Sequence, residues 1–165
     1  MLEDFSASEH CITTLQTLVA RGIGVEAHAG DLPDGAVDAP GGGDDCAEGG
    51  VNAMSAFLIG AGNHSYYHCA RKAEWQSDPK WPAPGHSDRW LDWLPAYDRK
   101  LGAPLAPGVK GADGVWRRAF AAGTRVVFDP VTRNGTITWG DGHVSRGPPT
   151  QSASKLSTGC DWISL

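Results

Sequence analysis

The sequence has no cluster of basic residues and no long hydrophobic run. Its 14 Lys and Arg are scattered and outnumbered by 19 Asp and Glu, which gives a net charge of −5. Nucleic acids and anionic membrane surfaces are bound through concentrated positive charge, so neither is expected as a partner. The longest apolar stretch, around Ala53 to Ala61, is far shorter than the roughly 20 residues of a membrane span. The acidic N-terminus lacks the layout of a signal peptide. We therefore expect a soluble chain.

Several catalytic and cofactor motifs are also missing. No Gly-rich stretch follows a strand in the GxGxxG or P-loop arrangement, and there is no GxSxG nucleophile elbow. The four cysteines lack the CxxC spacing of redox and structural zinc sites. His64 and His68 provide no third ligand for a metal. The sequence therefore predicts no cofactor and no metal site.

The cysteines and two glycosylation sequons bear on the compartment. Cys46 and Cys69 flank a predicted helix and either form a disulfide or stay free, whereas Cys11 is expected to be a buried thiol on a helix face. Asn63 and Asn134 lie in Asn-x-Ser/Thr sequons. The sequons favour a secretory or secreted protein, although the localisation stays unknown from sequence.

The first part of the chain is predicted to contain helices and strands in alternation, as in successive αβ units. Ser6 to Glu9 reads as a capping box, followed by apolar residues at helical spacing up to Gly22. Ile23 to Ala29 alternates like a strand. After a long Asp- and Gly-rich loop, a second helix is predicted over Val51 to Ala61 and a second strand over His64 to Cys69.

The rest of the chain reads as a loop and a small β domain. Residues 71 to 95 contain four tryptophans among prolines and charges, without a regular period. Three antiparallel strands are then predicted, and Asn134-Gly135 is expected to form a hairpin turn. Four aromatic residues are assigned to the β core, namely Trp116, Phe120, Phe128 and Trp139. The predicted division is barrel-like αβαβ units at 1–70, a Trp/Pro-rich loop and linker at 71–113, β hairpins at 114–140, and a flexible tail at 141–165.

Four segments together resemble the C-terminal part of glycoside hydrolases that have a (β/α)8 barrel and a trailing β domain. They are Ala56–Gly62, Ser65–Tyr67, Trp93–Leu105 and Trp116–Gly123. The resemblance implies an α/β fold with partial (β/α) barrel units followed by a small antiparallel β domain. At 165 residues the chain is shorter than a complete barrel, which typically takes about 250, so the first barrel strands are missing.

Glycoside hydrolysis usually needs two carboxyl groups, and one candidate stands out. Glu26 is expected near the carboxyl end of the first strand, with His28 on the same polar face to orient it. A catalytic carboxylate tuned by His28 is one interpretation. The alternative is a polar pair with a structural role inside a barrel or on a half-solvated strand.

Aromatic and histidine side chains are the candidate sugar contacts. Tyr66, Tyr67 and His68 on the second strand are suited to hydrogen bonding or stacking at a barrel mouth, or else to core packing. Trp75 and Trp81 lie in a loop after that strand, where indoles can stack on the C–H faces of sugars.

Three functions follow from these observations. The first is a glycoside-hydrolase-like protein acting on a polysaccharide or oligosaccharide, as a fragment or truncated form whose catalytic competence stays open. The second is a non-catalytic carbohydrate-binding module. The third is a subunit that self-associates or pairs with a chain supplying the missing barrel half, because exposed strand edges favour association.

Overall fold

The computed structural model of the chain describes residues 5–29, 50–69 and 95–147 together with Cys160. Two helices and two strands alternate first, followed by a short 3-10 helix at Pro95–Asp98 and then by a sheet. The helices and first strands are α1 (Glu9–Ala20), β1 (Val25–Ala29), α2 (Val51–Gly60) and β2 (Ser65–Cys69). The later strands are β3 (Val109–Lys110), β4 (Trp116–Ala119), β5 (Arg125–Asp129), β6 (Asn134–Thr138) and β7 (Val144–Arg146).

Helix α1 begins two residues later than the predicted capping box. Ser8, not Ser6, is the N-cap, and its hydroxyl oxygen accepts a hydrogen bond from the backbone N–H of Cys11 at 3.2 Å. Glu9 is consequently the first helical residue, too early to bond back to the cap. Gly22 follows the helix with a φ of +73°, a conformation that glycine adopts without steric cost.

Strands β1 and β2 form a parallel pair in which Val25 is opposite Ser65 and Ala29 is opposite Cys69. Helix α2 lies between them along the chain, so β1, α2 and β2 form a β-α-β unit. This confirms the alternating αβ pattern of the first half. The residues that the structure describes contribute two parallel strands and no closed barrel.

The later strands form one antiparallel sheet in the order β3-β4-β5-β6-β7. It is two strands wider than predicted, because β3 and β7 extend it at its edges. The predicted Asn134-Gly135 turn is wrong, since both residues lie in β6 and pair with β5. The chain reverses just before them, where Arg133 has a φ of 56° and Asp129 accepts hydrogen bonds from the following turn.

Close packing against α2 explains why Gly135 belongs to a strand. A Cβ atom at this position would lie 2.3 Å from the hydroxyl oxygen of Ser55, so only glycine permits the approach. The backbone N–H of Gly135 also donates to Oδ1 of the buried Asn52 at 2.7 Å. Gly135, which predicted a turn in the sequence, therefore allows close packing between α2 and the sheet.

Helix α2 is the centre of a single hydrophobic core. Nearly all its residues are buried, as expected for a helix that is apolar all round. One side contacts α1 and the other contacts the antiparallel sheet. The four aromatic residues predicted for the β core are indeed buried, namely Trp116, Phe120, Phe128 and Trp139.

A disulfide joins Cys11 of α1 to Cys160, with their Cα atoms 5.4 Å apart. The prediction of a buried thiol at Cys11 is therefore wrong, because its partner Cys160 is 149 residues away along the chain and helical periodicity does not indicate it. Cys69 is disulfide-bonded too, while Cys46 lies outside the described residues. Within the described ranges, no helix is long and apolar enough to cross a membrane.

Candidate functional site

One face of the β1–β2 pair is polar and accessible. Glu26 is exposed and is directly opposite Tyr66 in the parallel register. Tyr66 is 66 % exposed, a high value for a large aromatic residue in a strand. Two residues further on, the backbone of His28 pairs with that of the half-buried His68. Paired residues in neighbouring strands share a face, so the strands place Glu26 beside Tyr66.

The opposite face of the same two strands packs on the helices. Val25, Ala27 and Ala29 are buried there. Tyr67 belongs to this face as well: its ring centroid lies 5.2 Å from that of Phe57. The Tyr67 hydroxyl donates to the backbone oxygen of Gly50 at 3.4 Å. The sheet therefore separates Tyr67 from Glu26 and Tyr66, and its visible role is packing.

The structure corrects the expected position of Glu26 along its strand. Backbone pairing begins where the N–H of Val25 donates to the carbonyl of His64, so Glu26 is the second residue of the strand, nearer its amino end. His68 lies next to the carboxyl end of β2. The chain leaves that end into residues 70–94, which include Trp75 and Trp81; both lie outside the described residues.

The Pro95–Asp98 segment, which was noted in the sequence only for the family resemblance, returns to the carboxyl end of β2. The Tyr97 ring lies 6.3 Å from that of Tyr67, in an edge-on arrangement. Burial raises the pKa of the Tyr97 hydroxyl, partly opposed by a hydrogen bond with the backbone of Cys69. The exposed carboxylate of Asp98 follows directly. The Tyr97-Asp98 pair in the Pro95–Asp98 segment is the signal that could have drawn attention to this carboxylate.

In the part of the chain that the structure describes, no group of three or more His, Cys, Asp or Glu residues is placed to hold a metal ion. The chemical groups offered by the polar face are therefore a carboxylate, a phenol and imidazole. A carboxylate can transfer protons or attack a carbon centre, and a phenol can donate a hydrogen bond while its ring stacks.

Comparison with known proteins defines the class to which this architecture belongs. Residues 38–124, just over half of the chain, match the family model described as hypothetical glycosyl hydrolase family 15. The class is thus glycoside-hydrolase-like, and the chain belongs to hypothetical glycosyl hydrolase family 15. No curated protein matches the sequence. The matched range includes Tyr66, His68 and Asp98, whereas Glu26 precedes it.

Proposed function

We propose that this chain contributes the sugar-facing surface of a glycoside hydrolase that acts on a polysaccharide. The observation that carries the proposal is the exposed polar face of β1 and β2, where Glu26 lies beside Tyr66. In (β/α) barrels the strands are parallel, helices cover their outer face, and the site is built at their carboxyl ends. His68 lies next to that end of β2, whereas Glu26 would face the barrel interior from nearer the amino end of β1. The β1–α2–β2 unit, with its helix-covered face and its polar face, fits two neighbouring strands of such a barrel.

Glycosidic bond hydrolysis assigns roles to the available groups. One carboxyl group protonates the leaving oxygen, and a second, about 5 to 9.5 Å away, attacks the sugar or activates water. We assign one of these roles to Glu26 and leave its partner unassigned, because Tyr97 holds the segment of Asp98 near Tyr67, on the face of the strand pair opposite to Glu26. Tyr66 and His68 would bind the sugar, with His28 orienting Glu26. Trp75 and Trp81 remain proposed stacking residues.

The narrow parallel sheet favours a second candidate, in which further strands from another chain complete the barrel. Two parallel strands seldom form a sheet on their own, and parallel sheets are normally covered and flanked. The described strands β1 and β2 pair only with each other. In that arrangement the polar face would line a cavity, and cleavage would require both chains.

The exposed ring of Tyr66 supports a third possibility, namely carbohydrate binding without cleavage. A ring that is 66 % exposed is available for stacking on a sugar. This function needs no second carboxylate. It differs from the first in a single measurable respect, because binding should survive the loss of Glu26.

The test is hydrolysis of an array of neutral and acidic polysaccharides by the purified chain, with binding recorded in parallel. Glu26→Gln and Asp98→Asn each remove one carboxylate at nearly constant shape. Glu9→Gln is the matched control, because Glu9 is a surface residue of α1 paired with Lys110. A hydrolase that uses Glu26 should lose at least about 100-fold in activity with Glu26→Gln and little with the control, and Asp98→Asn tests whether this exposed carboxylate takes part.

Each result selects one function. Cleavage that is unchanged in Glu26→Gln contradicts the role given to that residue, and a comparable loss in Asp98→Asn would identify the second carboxyl group. Binding without cleavage, weakened by Tyr66→Ala, indicates a binding module. A folded chain that neither binds nor cleaves contradicts the proposal for the isolated chain, and a concentration-dependent increase in mass by sedimentation would then indicate a subunit.

A further inference from the structure

We propose that Asn63 is an N-glycosylation site and that Asn134, which has an equally valid sequon, is not glycosylated. Both positions match the Asn-x-Ser/Thr sequon, as Asn63-His-Ser65 and Asn134-Gly-Thr136, so the sequence does not distinguish them. The folded structure distinguishes them by the surroundings of the two amide groups. This inference does not depend on which of the functions above is correct.

Asn63 lies in the turn that joins α2 to β2 and is exposed. The backbone on each side of it is held by the protein itself. The N–H of Gly62 donates to the hydroxyl oxygen of Ser65 at 2.9 Å, and the carbonyl of His64 accepts from Val25 at 2.9 Å. A rigid, exposed turn accommodates a bulky hydrophilic substituent without loss of packing.

Asn134 is the first residue of β6 and is half-buried. Its Oδ1 atom is buried without a hydrogen-bond partner. The next residue, Gly135, is bonded to the buried Asn52. A glycan is carried on the nitrogen of the amide group that contains this enclosed oxygen, so its attachment requires that group to leave its enclosed position.

The cysteines independently indicate a compartment in which N-glycans are added. All three cysteines that the structure describes, Cys11, Cys69 and Cys160, are disulfide-bonded. Disulfides persist in oxidising environments such as the lumen of the endoplasmic reticulum and the cell exterior. The exposed sequon and the disulfides therefore both indicate a compartment in which N-glycans are added.

The position of Asn63 keeps a glycan away from the carboxyl end of β2 and closer to Tyr66, which follows three residues later. It precedes β2, at the amino edge of the parallel pair, whereas Cys69 ends that strand. At about 3.3 Å per residue, the two ends of β2 are about 13 Å apart. A glycan on Asn63 would therefore project from the amino end of β2, whereas residues 70–94 follow its carboxyl end.

The experiment is secretion of the full chain from a eukaryotic host, followed by digestion with a peptide-N-glycosidase. Gel mobility is compared for the wild type, Asn63→Gln, Asn134→Gln and Ser65→Thr, and peptide mapping of the wild type locates the modified residue. We expect the wild type and Ser65→Thr to shift on digestion and Asn63→Gln not to shift. Mapping should find Asn63 modified and Asn134 intact, a result that does not require the Asn134→Gln variant to fold.

Two results would overturn the inference. One is a secreted wild-type chain whose mobility does not change on digestion. The other is a glycan mapped to Asn134, or a mobility shift that persists in Asn63→Gln. Either would mean that exposure in the folded state does not determine which sequon is used.

Discussion

Among the charged side chains that the structure describes, Arg118 is the one whose replacement by Met should destabilise the protein most. Arg118 lies on β4 and extends to the carboxyl end of α2. Its Nη1 donates to the backbone oxygens of Leu58 at 2.8 Å, Ile59 at 3.3 Å and Ala61 at 2.5 Å, and its Nε donates to Ala106 at 3.1 Å. The last turn of α2 contains no basic residue, so this cation from the sheet takes that role.

The expected magnitude follows from the number of carbonyls left without a donor. A hydrogen bond to a charged group contributes about 1.5 to 3 kcal/mol, and the two N–H groups on Nη1 are shared among three acceptors. Burial opposes this gain, because it disfavours the charged form and lowers the pKa of Arg118. We therefore expect Arg118→Met, which keeps the aliphatic stem, to reduce the free energy of unfolding by about 3 kcal/mol.

Urea unfolding followed by circular dichroism measures this difference, and an unchanged slope with urea would show that only stability has changed. The melting temperature should fall by about 6 to 12 °C. Arg118→Lys keeps the charge but not the forked geometry, so about half the loss is expected. Arg125→Met on the exposed face of β5 is the control, with a change within about 0.5 kcal/mol. Equal effects of Arg118→Met and Arg125→Met would refute the reasoning.

Two further predictions concern packing and pH. Gly135→Ala forces a Cβ atom against Ser55 and should lower the free energy of unfolding, measured in urea, by about 2 kcal/mol. Gly24→Ala is the control and should be nearly neutral, because its Cβ would make only ordinary van der Waals contacts. Similar losses in the two variants would contradict the packing argument. Hydrogen bonds, first of all from Arg117, lower the pKa of Asp113 from 3.8 to about 2. Its stabilisation should therefore be complete above pH 3.8 and lost as the pH falls through about 2. NMR titration should find the pKa of Asp113 nearer 3.8 in Arg117→Met, and an unchanged value would show that Arg117 is not the cause.

The spacing of apolar residues was sufficient to predict β1 and α2 and which of their residues are buried. The alternation of β1 predicts that Val25 and Ala27 are buried while Glu26 is exposed, and the structure confirms this. The apolar run of α2 likewise predicts a helix almost to the residue. These signals are local, because side-chain direction repeats with the backbone itself.

The candidate site was predicted only in part. Register between β1 and β2 cannot be read from either strand alone, and it is this register that places Tyr66 beside Glu26. The separation of Tyr67 from Tyr66, by contrast, follows from the alternation of side chains along β2 and can be predicted from the sequence. The approach of Asp98 to the end of β2 depends on contacts made by Tyr97 with residues far away in the chain.

The sequence by itself determined the order of elements, the buried faces of β1 and α2, and the character of the chain as an α/β protein with a terminal antiparallel sheet. Only the tertiary structure decided that Gly135 belongs to a strand, that Cys11 is in a disulfide, and which of two sequons is exposed. The reason is physical. Propensity and periodicity act over a few neighbouring residues, whereas close approach, disulfide pairing and burial depend on segments that meet only after the chain has folded.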